Sequence, residues 1–415
     1  MKERPFILAV LPGLAPSTLM DVVTPLKQLQ QAGQIHARVT LDWLTTTEEV
    51  NQADLVVFCR NNNPAYDWSG FCVEKCIPYI YDLDDNLFAI PASTPLGQYA
   101  NRPDVIETLK GYLRGAALVR VYSPALREVV APLNANTRLV QPPIDWGVLD
   151  GLTRKSGRGL KMVYPTSRGS ADDLAEIFVP AIQQILKDHP RGVEIYFLGA
   201  PVPRELKAFR QVRHWKFDLD YEQYLRRFYQ EGFDIGLAPL KDDLFHQCKT
   251  NNKYREFAAC GIAGIYSKTT LYQQSVRHEQ TGLLVENTAA AWHQAIRTLI
   301  ENPELRRSIQ ASALQDAQNT YPREAFAGEW LAQIRHVLEE QPIPMAAPAD
   351  QKQPAAPQGV EAPTSRFGRV KNLAGRLRQN GIGYLVESIR WKMVKAQHQA
   401  ALKRINRDRK SSINL

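Results

Sequence analysis

The 415-residue chain has no apolar run long enough to span a bilayer, which excludes a transmembrane enzyme. The opening MKERPFILAVLPG pairs charge with an apolar stretch. That stretch is too short for a signal peptide and lacks a small-residue cleavage site, so it reads as a first buried strand. Cysteine is scarce. Cys59, Cys72, Cys76, Cys248 and Cys260 are odd in number and show no framework spacing, which excludes a disulfide scaffold and points to the reducing cytoplasm. No second Cys or His pair accompanies Cys72 and Cys76, so these are packing residues and no metal site is expected. Positive charge is also missing from most of the chain. The formal net charge is +8, yet residues 366–415 hold 13 Lys and Arg against 2 Asp and Glu, leaving −3 for residues 1–365. A mildly acidic body without an aromatic-basic module excludes nucleic acid as a partner.

What the sequence does contain is alternation. PFILAVL, DLVVFCR, IPYIYDL, AALVRVY and TRLVQ are strand-like runs between helical patterns, with Ser17 and Ser123 placed as helix N-caps. Continuous apolar strands between amphipathic helices predict an α/β fold with a parallel sheet covered on both faces. QPPIDW at 141–146 breaks the rhythm, and a second series follows: LKMVYPT, a helix over 171–188, VEIYFLG, VRHWKF, a helix over 221–230, DIGLAPL, a helix over 250–260, IAGIYS, TGLLVE and helices from 288 to 340. The expected organisation is two Rossmann-like domains facing a cleft, 1–145 and 146–340. A linker rich in Pro, Ala and Gln follows at 341–365, and then a basic, amphipathic helical tail at 366–415. Ligands of such sheets bind beyond the carboxyl ends of the strands.

The segment from Asp234 to Asn287 carries the most specific chemistry. A strand ends at Pro239, a helix is expected from about Thr250, and Gly261 ends it. The free N–H groups of a helix start suit a diphosphate. Lys249 and Lys253, four residues apart, are expected on one face there to add charge, and Glu256 can accept two ribose hydroxyls. The plain alternative is a solvated helix face on which Glu256 pairs with its lysine neighbours. Upstream, Asp82, Asp84 and Asp85 follow IPYIY and emerge at the carboxyl edge of the first sheet. Three carboxylates there raise one another's pKa and invite a cation, and Asp84 or Asp85 is a candidate to orient or deprotonate a hydroxyl. His36, His214, His246 and His278 lie in no catalytic motif and are read as packing or surface residues.

Lys253-x-x-Glu256-Phe-Ala-Ala-Cys-Gly261-Ile, with Thr281-Gly282-Leu-Leu beyond it, resembles the donor-binding region of GT-B glycosyltransferases of family 4 and its group 1 relatives. The resemblance takes in Tyr164, Ser167, Arg168, Asp172, Asp173, Gly199 and YDLDDNLF at 81–88. It implies transfer of a sugar from a nucleoside-diphosphate sugar to a hydroxyl acceptor, a glycan or lipid-linked glycan of cell-surface polysaccharide assembly. It also implies retention of configuration, with no metal and no cofactor beyond the donor. Asp82-Leu83-Asp84 spells the D-x-D metal motif of the other glycosyltransferase architecture, and the GT-B plan sets that aside.

Carried over by residue, Glu256 matches the second glutamate of the family's E-x7-E motif, which holds the ribose, and Arg168 its phosphate-binding arginine. Gly13, Ser167, Lys249, Gly282 and Leu283 fall where the donor lies. Catalysis would then rest on Asp84, Asp85, Arg168 and Lys253. The first motif glutamate, which usually touches the donor sugar, is Cys248. That departure keeps a second reading open, a catalytically silent nucleotide-sugar-binding or scaffold subunit. The tail resembles basic extensions of membrane-associated relatives and implies peripheral contact at the inner face of the membrane.

Overall fold

The computed structural model describes residues 3–155, 157, 159–166, 175–216, 218, 220–339 and 397–406. Two parallel six-stranded sheets make up its core. The first runs β2-β1-β3-β4-β5-β6, with β1 Phe6–Leu11, β2 His36–Leu41, β3 Leu55–Cys59, β4 Tyr79–Leu83, β5 Leu118–Val121 and β6 Thr137–Leu139. The second runs β12-β11-β10-β7-β8-β9, with β7 Leu160–Thr166, β8 Val193–Gly199, β9 Val212–Lys216, β10 Ile235–Ala238, β11 Ala263–Ser267 and β12 Leu283–Val285. Both central strand sets are buried throughout, because helices cover both faces and the strands carry almost nothing polar. Strand order reverses between β1 and β3 and again between β7 and β10, and each reversal opens a crevice at the carboxyl ends.

The strand β2 is absent from the sequence reading. It is an edge strand in register with β1, Phe6 opposite His36 and Leu11 opposite Leu41. His36 and Arg38 face outward, so no continuous apolar run marks it. Ser17 is not an N-cap: the helical run begins at Pro16 after Ala15 and passes through a π-helical stretch, Leu19–Val23, into Thr24–Gln31. Ser123 does cap, accepting from the Leu126 N–H at 3.2 Å. The helix expected over 171–188 spans Ala175–Asp188, its first residues lying outside the described ones. Of the predicted helical tail, residues 366–396 and 407–415 lie outside the described residues, and 397–406 are helical.

The last helix of the second series, Ala325–Glu339, turns back to the first sheet. Trp330 is fully buried in the core around β1 and donates its indole N–H to the Asp21 carbonyl at 2.8 Å. The Arg120 guanidinium lies 3.9 Å from the Trp330 ring centroid and also bonds Gln333. The two halves are therefore joined by packing as well as by the 141–146 connection.

Candidate functional site at the interdomain cleft

The first wall grows from the carboxyl ends of β3, β4 and β5. Asp82, the last-but-one residue of β4, points into protein and not into the cleft. It is fully buried, accepts from Arg120 Nε at 3.0 Å and from the Tyr122 hydroxyl at 2.8 Å, and its pKa is pushed up to about 6 by burial, with Arg120 opposing. Its side chain is thus committed to Arg120 and Tyr122 inside the protein.

Asp84 and Asp85 lie beyond the strand end and meet Arg60. Arg60 bonds both Asp84 oxygens, Nη2 to Oδ2 at 2.9 Å, and reaches Asp85 Oδ2 at 3.1 Å. Burial alone would lower the guanidinium's pKa, but Asp84 and Asp85 more than offset it and raise it. Arg60 holds φ at 60°, a left-handed conformation that costs a non-glycine residue about 1 kcal/mol or more. Sequence reasoning missed Arg60, although its place at the carboxyl end of β3 beside the strand-order reversal was a usable signal. It also missed Asp21 of the π-helical stretch, which is buried, its pKa raised by burial and then by Asp84 and Asp82.

Lys249 crosses the cleft. Its Nζ lies 2.6 Å from Asp85 Oδ1 and 3.9 Å from the Phe245 ring centroid. The expected sharing of a helix face with Lys253 is not found. Lys249 follows a short separate helix, Leu244–Gln247, and the next helix begins only at Asn252. Across the non-helical Thr250-Asn251 step the two lysines take different partners, Lys249 pairing with Asp85 and Lys253 with Glu256. Cys248 turns away as well: it is fully buried in the first domain's core, receives the Asn86 amide at 3.5 Å on its sulfur, and its carbonyl accepts from the Ser123 hydroxyl at 2.9 Å. Where the resemblance puts a sugar-reading glutamate, this chain has an anchor into the opposite domain.

The second wall is the helix Asn252–Ala259. Its N-cap, Asn251, makes no side-chain cap bond and instead donates to Tyr321 at 2.8 Å and to Ser275 at 2.7 Å. Arg255, also missed from sequence, is buried and ties Asn251, Asn252 and the Pro143 carbonyl together, stiffening the helix start against the interdomain connection. Lys253 and Glu256 pair with each other at 2.8 Å. Glu256, its side chain 11% exposed, lines a narrow cavity with Asn252, Arg255, Tyr221, Pro143 and, from the first domain, Met20.

The remaining candidates divide. Gly282 sits where a Cβ would come within 2.7 Å of the Tyr266 ring, so packing demands glycine there. Leu283 opens β12 with its side chain in the core, leaving only backbone for a ligand. Gly13 is in the turn after β1, its carbonyl accepting from Thr18 at 3.0 Å. Ser167 and Arg168, directly after β7, lie outside the described residues. His246 is buried with Nδ1 2.7 Å from Asp243, whose carboxylate also caps the short helix by accepting the His246 backbone N–H at 3.0 Å, which agrees with its reading as a packing residue.

Residues 166–302 match the family described as Glycosyl transferases group 1. No curated protein sequence matches the chain. Among solved structures, a glycosyltransferase from Rickettsia africae superposes with a TM-score of 0.59 at 14% identity, covering 81% of this chain and 100% of that one. Sucrose-phosphate synthase from Thermosynechococcus elongatus gives 0.58 at 16% identity, with 81% and 100% covered. HepE from Anabaena, in complex with UDP and glucose, gives 0.56 at 14% identity, with 79% and 98% covered. At these identities the neighbours establish the two-domain GT-B fold, and the family match supplies the group 1 glycosyltransferase domain.

Proposed function

We propose that this chain, a group 1 glycosyltransferase of the GT-B fold, moves a sugar from a nucleoside-diphosphate donor to a hydroxyl of a glycan or lipid-linked acceptor, with retention and without a metal. The observation that carries the reading is the Lys249–Asp85 contact of 2.6 Å, which brings the donor-side cation and the acceptor-side carboxylates to one point in the cleft. In this scheme Lys249 exchanges Asp85 for the donor diphosphate. That exchange frees a carboxylate at the same moment as it delivers charge to the leaving group. Lys253, Arg168, Ser167 and the backbone at Gly282 and Leu283 complete the diphosphate side, and Glu256 takes the ribose once Lys253 turns to phosphate. Gly13 belongs to the opposing loop. Asp84, steadied by Arg60, and Asp85 receive the acceptor hydroxyl. Catalysis is then positioning and electrostatics, with no protein nucleophile required.

Thermal shift against UDP-, GDP-, dTDP- and ADP-sugars should pick out one nucleotide, since binding to the folded state alone raises its stability. Transfer should vanish in the Asp84→Asn, Asp85→Asn double variant. Full activity in that variant refutes the acceptor role, and activity lost to a chelator and restored by manganese refutes metal independence.

The burial of Cys248 favours one specific second reading, a silent nucleotide-sugar-binding subunit. Donor binding with neither hydrolysis nor transfer would establish it. Among the described residues no helix is long and apolar enough to cross a membrane. The basic segment 366–415 is proposed to hold the enzyme at an anionic cytoplasmic surface, each Lys or Arg contributing about 1 kcal/mol. Truncation at Pro363 should abolish vesicle sedimentation.

A further inference from the structure

One buried acid beside the cleft has no part in the proposed transfer. Asp21 lies in the middle of the π-helical stretch Leu19–Val23, a few residues beyond the turn that follows β1. Such a stretch is a rare geometry, frequent at functional sites. The backbone of Asp21 is firmly held: its carbonyl accepts the Trp330 indole N–H at 2.8 Å, and the adjoining Val22 and Val23 are seated in the core around β1. The side chain is not. Asp21 is 3% exposed, and among the described residues its carboxyl makes neither an ion pair nor a hydrogen bond. Its oxygens are nevertheless not sealed from solvent, in contrast to the unbonded Nη2 of Arg120. A buried polar group without a partner costs stability, so packing does not account for this side chain.

Asp21 is in electrostatic reach of both walls. Asp84, Asp82 and Arg60 act on it from the first wall, and Arg255 from the helix Asn252–Ala259 of the second. Both arginines are committed elsewhere, Arg60 to Asp84 and Asp85, and Arg255 to Asn251, Asn252 and the Pro143 carbonyl. Burial and then the two carboxylates favour the protonated acid, which can both donate and accept. The adjoining Met20 lines the same narrow cavity as Glu256 and Arg255. A sugar handed from a nucleotide at Glu256 to a hydroxyl at Asp84 has to lie between those two residues, and Asp21 offers an unused hydrogen-bonding group there. Cys248, at the position expected to read the sugar, is fully buried in the first domain's core. We infer that Asp21 reads a hydroxyl of the donor sugar, reaching it from the first domain in the role that Cys248 does not fill. This role rests on the transferase reading and adds to it the residue that recognises the sugar as distinct from its nucleotide.

The test is calorimetry of the full chain with UDP-glucose, GDP-mannose, dTDP-glucose and ADP-glucose, each beside its nucleoside diphosphate. Asp21→Ala and Asp21→Leu, the second keeping the branched shape without polar atoms, should each weaken the sugar nucleotide that binds at least fivefold. Both should leave the matching nucleoside diphosphate within twofold, which also reports a folded site. Asp21→Asn, an amide that donates and accepts as the neutral acid does, should recover most of the loss. Unchanged sugar-nucleotide affinity in Asp21→Ala or Asp21→Leu, or an equal loss for sugar nucleotide and nucleoside diphosphate, overturns the inference and leaves the transferase reading standing. If the unaltered chain binds none of the sugar nucleotides and none of the nucleoside diphosphates, both fall together.

Discussion

The two walls of the cleft carry similar charges and secure them differently. On the first wall, Asp82 with Arg120 is wholly buried, and Arg60, Asp84, Asp85 and Lys249 form a chain of ion pairs crossing between domains. On the second wall, Lys253 and Glu256 make one pair within a single helix turn, partly open to solvent. A buried charge cannot change partner without meeting its desolvation cost, whereas a local surface pair contributes only about 0.2 to 0.5 kcal/mol. The buried Asp82–Arg120 pair of the first wall therefore holds geometry, whereas the partly exposed pairs Lys249–Asp85 and Lys253–Glu256 are free to exchange partners around a ligand.

The sharpest way to break this contrast is to remove Arg120. Arg120→Ala leaves Asp82 buried without its cation and should lower stability by about 3 to 5 kcal/mol in urea unfolding. A loss below about 1 kcal/mol would show the first wall to be as adaptable as the second. Next in size is Glu256→Ala, expected to cost about 1.5 to 3 kcal/mol of nucleotide binding by calorimetry. Its effect on folding should stay within about 0.5 kcal/mol. Unchanged nucleotide affinity would remove Glu256 from the site. A double-mutant cycle of Lys249→Ala and Asp85→Asn should give a coupling of about 1 kcal/mol without donor, falling when saturating nucleotide draws Lys249 away. Coupling that ignores nucleotide contradicts the exchange.

A further effect is on pH dependence. Because burial raises the pKa of Asp82 from its ordinary value near 3.8 to about 6, the folded state retains a proton there that the unfolded state has released. The group's contribution to stability is greatest at low pH and is lost as pH rises from about 4 to about 6. The penalty of Asp82→Asn, whose side chain stands in for the protonated acid, should thus be larger at pH 4.5 than at pH 7.5. The reverse trend would mean that Arg120, and not burial, dominates at Asp82.

The architecture was legible because the buried parallel strands announce themselves as apolar runs, and eleven of the twelve strands, the more polar β6 and β9 included, fall on segments read from the sequence as strands. The exception, β2, is polar on its exposed stretch, so only its pairing with β1 reveals it. At the site, spacing located the helix Asn252–Ala259 that carries Glu256 but misjudged Lys249. A turn of two residues separates it from the helix, and helical geometry was assumed where none exists. Arg60, Arg255 and Asp21 were missed for a shared reason. Each acts through partners far off in the chain, Arg60 through Asp84 and Asp85, Arg255 through Pro143, and Asp21 against Asp82 and Asp84. Cys248 was visible as a substitution, but only tertiary structure shows which domain it serves.

The returning helix Ala325–Glu339 has a consequence for recombination between relatives. Trp330 seats in the first domain although the chain reaches it only after completing the second sheet. Exchange of the second half as one uninterrupted block would carry this helix along and confront a foreign core with Trp330. A working chimera should therefore be spliced twice, once in 141–146 and again between Thr320 and Ala325, so that the first half keeps its own closing helix.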